Sequence, residues 1–260
     1  MISARKSWYA SLILLAASCS VAADAPKSAD TTESVLTAIA QKTATIKSFS
    51  ADFTMTRYSG KRQLSARGRI ESVLPDCSRM TIAAGQNSQT ALSDGTTAWV
   101  LTPSAQRTER IDAQKVKAAL QDAALSTHLE GHNIADPLAF IEPRTARLIA
   151  TEKVQGHSCW VIEGRARLQN PSTLRVYVAQ QTGTTRKTAL LDAAGQTVVT
   201  ILYDNLKLNL DLNPDLFRYT PPAGANVIDQ TQRTIEMIRN MAASRKHAPT
   251  TEPAKSESGK

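Results

Sequence analysis

Residues 93–112, SDGTTAWVLTPSAQRTERID, are the stretch on which the reading of the fold turns. Asp94-Gly95 is a two-residue hairpin signal, Trp99 to Thr102 is a short β-rich run, and Pro103-Ser104 opens a further turn. The two arms of this hairpin read as the fifth and sixth strands of a series. A second stretch answers it near the other end of the chain, residues 214–229, PDLFRYTPPAGANVID. Neither carries a group with catalytic chemistry. Aromatic, aliphatic and β-branched side chains in this pattern build a wall, and what the wall encloses is expected to be apolar.

Working outward, residues 31–47 place Val35, Leu36, Ile39, Thr43 and Ile46 at helical spacing, and the period changes to two at Ser48. Phe49, Ala51, Phe53 and Met55 alternate with Ser50, Asp52, Thr54 and Thr56 up to a turn at Ser59-Gly60. A second strand, 63–73, keeps Leu64, Ala66, Gly68 and Ile70 on one parity until Pro75-Asp76 breaks it. A third runs through Met80 and Ile82 to Gly85-Gln86-Asn87, and a fourth covers 88–93. Six sequential strands predict a meander. The pattern then turns helical over 113–125, with Val116, Ala119, Leu120 and Ala123 on one stripe. Asp136-Pro137 reads as the cap of a short helix over 138–142, stopped by Pro143. Strands resume over 146–154, 158–167, 174–180, 186–192 and 196–207, separated by Gln155-Gly156, Asn170-Pro171, Thr182-Gly183 and Ala194-Gly195. About eleven evenly spaced strands predict one large open sheet or barrel rather than two small sheets.

The ends of the chain read differently. Arg5-Lys6, an apolar run from Trp8 to Ala17 and the small residues up to Ala23 form a bacterial-type export signal over 1–23, with cleavage near Ala22 or Ala23. Its apolar run is about half the ~20 residues a membrane span requires. The alternative is a lipoprotein anchored at Cys19, although Ala16 stands where such signals usually carry leucine. Export predicts a periplasmic location. Residues 24–229 read as the folded unit, 230–244 as a final helix with Ile235, Ile238 and Met241 on its apolar side, and 245–260 as a disordered tail.

The 260 residues are 42% hydrophobic but only 5% aromatic, and the net charge of +8 falls to +6 once Arg5 and Lys6 leave with the signal. That excess reads as a solvated surface, with attraction to anionic lipid headgroups as the other reading; export argues against nucleic acid as a partner. Cys77 and Cys159 remain as a pair in an oxidising compartment. They fall on the third and eighth strands. Five steps of ~4.8 Å across a sequential sheet span roughly 24 Å, against a limit of ~7 Å for a disulfide. Two packing thiols are the expectation unless strong curvature shortens the path.

The sequence carries few motifs with chemistry of their own. No nucleophile elbow, phosphate loop or dinucleotide fingerprint occurs. His128-Leu129-Glu130-Gly131-His132 is not a zinc-protease spacing, and Gly131 suits a loop, so a solvated loop is expected there rather than a metal site. No pair of acids stands out as a general acid and base. The chain is therefore read as no enzyme, with neither cofactor nor metal.

The order of elements nonetheless carries a resemblance. A helix followed by Ile46-Lys47-Ser48-Phe49-Ser50-Ala51-Asp52-Phe53-Thr54, then Ser93-Asp94-Gly95 with Trp99 and Pro103, then residues 216–224, LFRYTPPAG, resembles the outer-membrane lipoprotein carrier family, LolA, over most of residues 31–229. The resemblance implies an unclosed antiparallel β-barrel whose concave face is apolar, lidded by the inserted helices. It also implies a function: taking acylated lipoproteins from an inner-membrane transporter and passing them to an outer-membrane acceptor, as a monomer. A LolB-like anchored acceptor and an RseB-like envelope lipid sensor share that implied fold and are the alternatives.

On this reading Phe53, Met55, Ile70, Met80 and Ile82 line the cavity by parity, and Trp99 and Leu101 by their position in the resemblance, although sequence alone reads each equally well as ordinary core. Val116, Leu120, Leu138 and Phe140 are the expected lid residues. Well-known carriers have an arginine latch just before the proline that ends strand two. Here Leu74 precedes Pro75, so gating by exchange of apolar contacts is expected instead.

Overall fold

The structure, a computed structural model, describes residues 30–85, 87–123, 134–167 and 172–246. The export segment with Cys19, the histidines at 128 and 132, the turn at Asn170-Pro171 and the tail from residue 247 lie outside the described residues.

The alternating stretches form strands where the sequence predicts them. β1 (Ser48–Ser59), β2 (Arg62–Val73), β3 (Cys77–Ala84), β4 (Asn87–Asp94), β5 (Thr97–Thr102) and β6 (Arg107–Asp112) make one antiparallel meander. The Asp94-Gly95 turn closes the hairpin of β4 and β5, one strand earlier than the pair the sequence reading assigns to its arms: the Asp94 carboxylate accepts from the amides of Thr96 at 2.9 Å and Thr97 at 2.8 Å. β7 (Arg147–Val154), β8 (His157–Arg165), β9 (Thr173–Ala179), β10 (Thr185–Leu191) and β11 (Thr197–Leu208) make a second meander. The two join through β1 and β11, so the order is β12-β6-β5-β4-β3-β2-β1-β11-β10-β9-β8-β7. The ends do not meet, and the fold is an unclosed barrel.

A twelfth strand, β12 (Val227–Asp229), is the element that strand counting missed. It has only three residues and pairs in parallel with β6, far from it in sequence. Cys77 on β3 and Cys159 on β8 stand six strand steps apart, and both are free thiols.

Three α-helices are found among the described residues. In α1 (Thr32–Thr43) the N-cap Thr31 and Ser34 cap one another reciprocally. The helix stops short of residue 47 because the hydroxyls of Thr43 and Thr45 donate to the carbonyls of Ile39 and Lys42, satisfying its last turn locally. α2 (Ala113–Asp122) begins at an Asp112 cap, and α3 (Thr231–Lys246) follows β12 directly. The short helix expected over 138–142 is not formed. Two successive turns replace it, Ala139 N–H to Asp136 O and Ile141 N–H to Leu138 O. The stretch is too brief to nucleate a helix, and Ile141 bridges to Ala166 while the Glu142 amide donates to Arg165 O.

Register defines the two faces. Phe53 stands beside Gly68 and Tyr203, and Ala51 beside Ile70, which neighbours Met80 and then Ala91. This inner face carries α1, whose Val35 and Ile39 bury against Trp160, Ile162, Val176 and Val178. Ile134 and Ala135 are buried on it among Phe49, Phe53, Ile70 and Tyr203. A Cβ on Gly68 would lie 2.3 Å from Phe53 Cζ and 2.4 Å from the Thr81 carbonyl oxygen. The backbone side of that clash cannot rotate away. Gly68→Ala is therefore expected to lower the unfolding free energy by about 1–3 kcal/mol in urea denaturation. An unchanged midpoint would show that Phe53 does not depend on the bare backbone beneath it.

Candidate functional site

Small side chains on the inner face decide where a cavity forms. At the β1–β11 seam, Phe53, Tyr203 and Ile134 fill the space completely. Toward β6 the same face presents Ser72, Ser78, Ala91, Ser93 and Ala98, and a cavity of about 510 Å³ opens above them. Phe49, Ile70, Leu74, Val100 and Ile111 supply its apolar wall. Two of the serines are engaged locally. Ser72 donates to the Cys77 carbonyl at 2.8 Å, and Ser93 accepts from the Gly95 amide at 3.2 Å.

The cover comes from α2. Ala113 and Lys117, one turn apart on the same stripe, line the cavity, as does Thr234 of α3. Val116 and Leu120, also one turn apart, face elsewhere: they are buried against Ile235 and Ile238 of α3. The two helices thus satisfy each other's apolar stripes. α2 is fastened to the strand ends by Lys117 Nζ, 2.8 Å and 3.0 Å from the two Asp76 carboxylate oxygens, and by Gln114 donating to the Gly95 carbonyl. Both partners of the ion pair are more than a third exposed, so the pair contributes about 0–1 kcal/mol and weakens with salt.

Of the residues expected to line the cavity, Ile70 does so. Phe53 is packed core, its ring centroid 6.5 Å from that of Tyr203, and Met55, Met80 and Ile82 are half-buried against the same cluster. Leu101 requires correction, and Trp99 lines the cavity from the other face of its strand. Leu101 pairs with Thr90 and Trp99 with Leu92, on the face opposite Ile70. Trp99 borders the cavity, but its ring meets Tyr219 edge-on at 5.3 Å between centroids. A shift of one position exchanges the faces, and the inner residues are Ala98 and Val100.

Among the expected lid residues, Leu138 packs with Val35, Ile39 and Trp160. Phe140 is half-buried, with its carbonyl accepting from the Arg167 amide. The segment that does enter the inner face is Ile134-Ala135, which sequence reasoning passed over. Its only signal is an apolar pair ahead of Asp136-Pro137. Among the described residues no cluster of metal-ligating side chains occurs, and no helix is long and apolar enough to cross a membrane.

No family model matches this sequence, and no curated protein matches it. Solved structures do share the fold. An uncharacterized conserved protein from Thermus thermophilus aligns with a TM-score of 0.50 and 12% identity, over 76% of this chain and 98% of that one. A LolA superfamily protein from Nitrosomonas europaea aligns with a TM-score of 0.36 and 17% identity, over 74% and 99%. The lipoprotein LppX of Mycobacterium tuberculosis gives 0.36 and 11%, over 71% and 98%. The likeness to the first of these is one of fold alone.

The two thiols report on this geometry. Cys77 borders the cavity, and burial, reinforced by the charges of Asp94 and Asp76, raises its pKa. Cys159 is fully buried, and burial pushes it up to about 11. Thiolate is the reactive form, so both rates rise as pH climbs toward the raised values. In the folded protein at pH 8 (a condition roughly at the ordinary thiol pKa), iodoacetamide is expected to label Cys77 well before Cys159, as mapped by mass spectrometry. Equal labelling of the two would contradict this placement.

Proposed function

We propose that this protein is a carrier of the cell envelope that binds the acyl chains of lipoproteins, or of a related lipid, in the inner-face cavity and moves them toward the outer membrane. The observation that carries this reading is an apolar cavity of about 510 Å³ beneath a helix pair fastened to the strand ends by a hydrogen bond and an exposed ion pair. Partners on this reading are an inner-membrane releasing transporter and an outer-membrane acceptor, and the export segment over 1–23 delivers the chain to the periplasm.

Volume sets the capacity. A methylene takes up about as much space as a water molecule, roughly 30 Å³, so a chain of about sixteen carbons occupies on the order of 480 Å³ and matches the cavity. Three such chains do not fit beneath the closed cover. Cargo therefore enters one chain at a time, or α2 swings aside for a multiply acylated terminus. Each buried methylene contributes about 0.8 kcal/mol, so two more carbons tighten binding about fifteenfold.

Displacement of a fluorescent fatty acid by acids of increasing length is expected to show this steep gain up to about sixteen carbons and then level off. Ala91→Trp fills the cavity floor and is expected to abolish binding while circular dichroism stays unchanged. A flat length dependence would remove the acyl cavity from the mechanism. The fastening makes a separate prediction: wild-type uptake of an apolar dye should speed up with added salt, whereas Asp76→Asn should be fast at every salt concentration. Identical salt responses in the two proteins would show that Lys117 and Asp76 do not hold the cover.

A further inference from the structure

A second pocket, of about 300 Å³, lies where the turn after β7 meets the turn after β9. It shares no lining residue with the acyl cavity. Gly156, His157, Ser158, Gln181, Thr182 and Arg186 surround it, and no acid lines it. Arg186 stands at an irregularity of the β9–β10 ladder, between the paired residues Thr185 and Lys187. Such a bulge re-aims the extra residue's side chain out of the regular alternation.

The guanidinium of Arg186 is poorly provided for by the protein. Its Nε is buried without a hydrogen-bond partner, the one such side-chain atom among the described residues. Burial works against its charge. Asp204, whose carboxylate acts on it electrostatically, already accepts a hydrogen bond from the Gln155 amide. On the rim, Lys42 Nζ donates to the Gln181 carbonyl at 3.2 Å and adds a second positive charge. A buried donor left unsatisfied is destabilising, the more so on a charged group. A surplus of donors around an arginine whose Nε is unsatisfied, with no acid in the pocket lining and Asp204 already engaged by Gln155, is the complement of a tetrahedral oxyanion.

We propose that the pocket around Arg186 is a phosphate-binding site, filled either by free inorganic phosphate or by the phosphate of an anionic lipid headgroup. The guanidinium takes two phosphate oxygens as a fork. Ser158 and Gln181 line the same pocket, as does Thr182, whose hydroxyl shares a 2.6 Å hydrogen bond with that of Thr184. Gly156, at φ +81° with open space where a Cβ would stand, leaves the rim clear.

The site and a purely structural arginine differ in the sign of one substitution. If Arg186 serves a ligand, Arg186→Met removes an unsatisfied buried donor but keeps the apolar stem. The phosphate-free protein should then melt at the same temperature or up to about 2–4 °C higher. Inorganic phosphate, titrated against sodium chloride at matched ionic strength, should raise the melting temperature of the full wild-type chain, and the variant should bind it at least about tenfold more weakly. Flotation with phosphatidic acid vesicles identifies the source. Capture that the variant loses and inorganic phosphate competes away assigns a lipid headgroup; a thermal response without capture assigns free phosphate. The proposal is overturned if wild type shows neither response, if the variant responds equally, or if Arg186→Met lowers the melting temperature in the absence of phosphate. Failure here leaves the chain-length test of the acyl cavity untouched.

Discussion

The pairing of β1 with β11 is the constraint on which the rest of this structure depends. It joins two meanders that are otherwise separate in sequence, and its inner-face aromatics are buried in the core. Phe53 and Tyr203 stand opposite one another across the seam and are both almost fully buried. Gly68 on the next strand lets the Phe53 ring lie flat against the sheet, an arrangement in which an aromatic covers a glycine that would otherwise weaken its strand. Ile134 and Ala135 close the seam from above. With the middle of the inner face filled, the space left over falls to one side, above the small residues of β3 to β5.

That division explains which parts of the molecule were legible in the sequence. Period-two alternation marks β1 and β2 plainly, because one side of each strand is apolar and the other polar, and the turns between strands carry their own residue signals. Alternation does not say which half of an apolar face is packed core and which half is cavity. Phe53 and Ile70 lie on the same face, yet only Ile70 reaches the cavity. The floor is marked by smallness, in Ala91 and Ala98, and small residues carry little hydrophobic signal. Along β5 every residue from Ala98 to Leu101 is apolar, so parity is undefined by composition; the strap bearing Phe217 and Tyr219 covers the outer face, and both faces are apolar for that reason.

Other elements were hidden because their cause is tertiary. β12 has three exposed residues and forms because its end and the start of α3 are tied to β6: Arg110 pairs with Asp229 at 3.1 Å, and Thr231 accepts from the Asp112 amide at 2.9 Å. The turns at 137–140 replace a helix because their backbone groups find partners in the neighbouring strand region. Leu74 points to a different lesson. The residue type expected for a latch is absent there, and Leu74 forms cavity wall instead. Two positions later Asp76 meets a lysine that comes from the helix, so a cation still fastens the cover, supplied from the other side.

The pairing of α2 with α3 changes how the proposed carrier opens. Gating by exchange of apolar contacts requires the lid's stripe to occupy the cavity in the closed state. Val116 and Leu120 instead stay buried against Ile235 and Ile238, and this contact need not break when the cover moves. On the proposed opening the cavity wall is exposed, the Lys117–Asp76 ion pair and the Gln114–Gly95 hydrogen bond break, and the helix pair stays intact, pivoting at its start, where the Ala113 amide donates to the Thr96 carbonyl at 3.0 Å. A sixteen-carbon chain is worth on the order of 12 kcal/mol against water, and a carrier that held it with all of that could not release it to an acceptor. Part of the wall is already covered by Ala113 and Lys117 in the closed state, and some of the gain on loading is offset by uncovering it. On the proposed reading, a flap fastened this weakly allows cargo to leave whenever a more apolar environment lies against the mouth, with no energy source beyond the difference between the two sites.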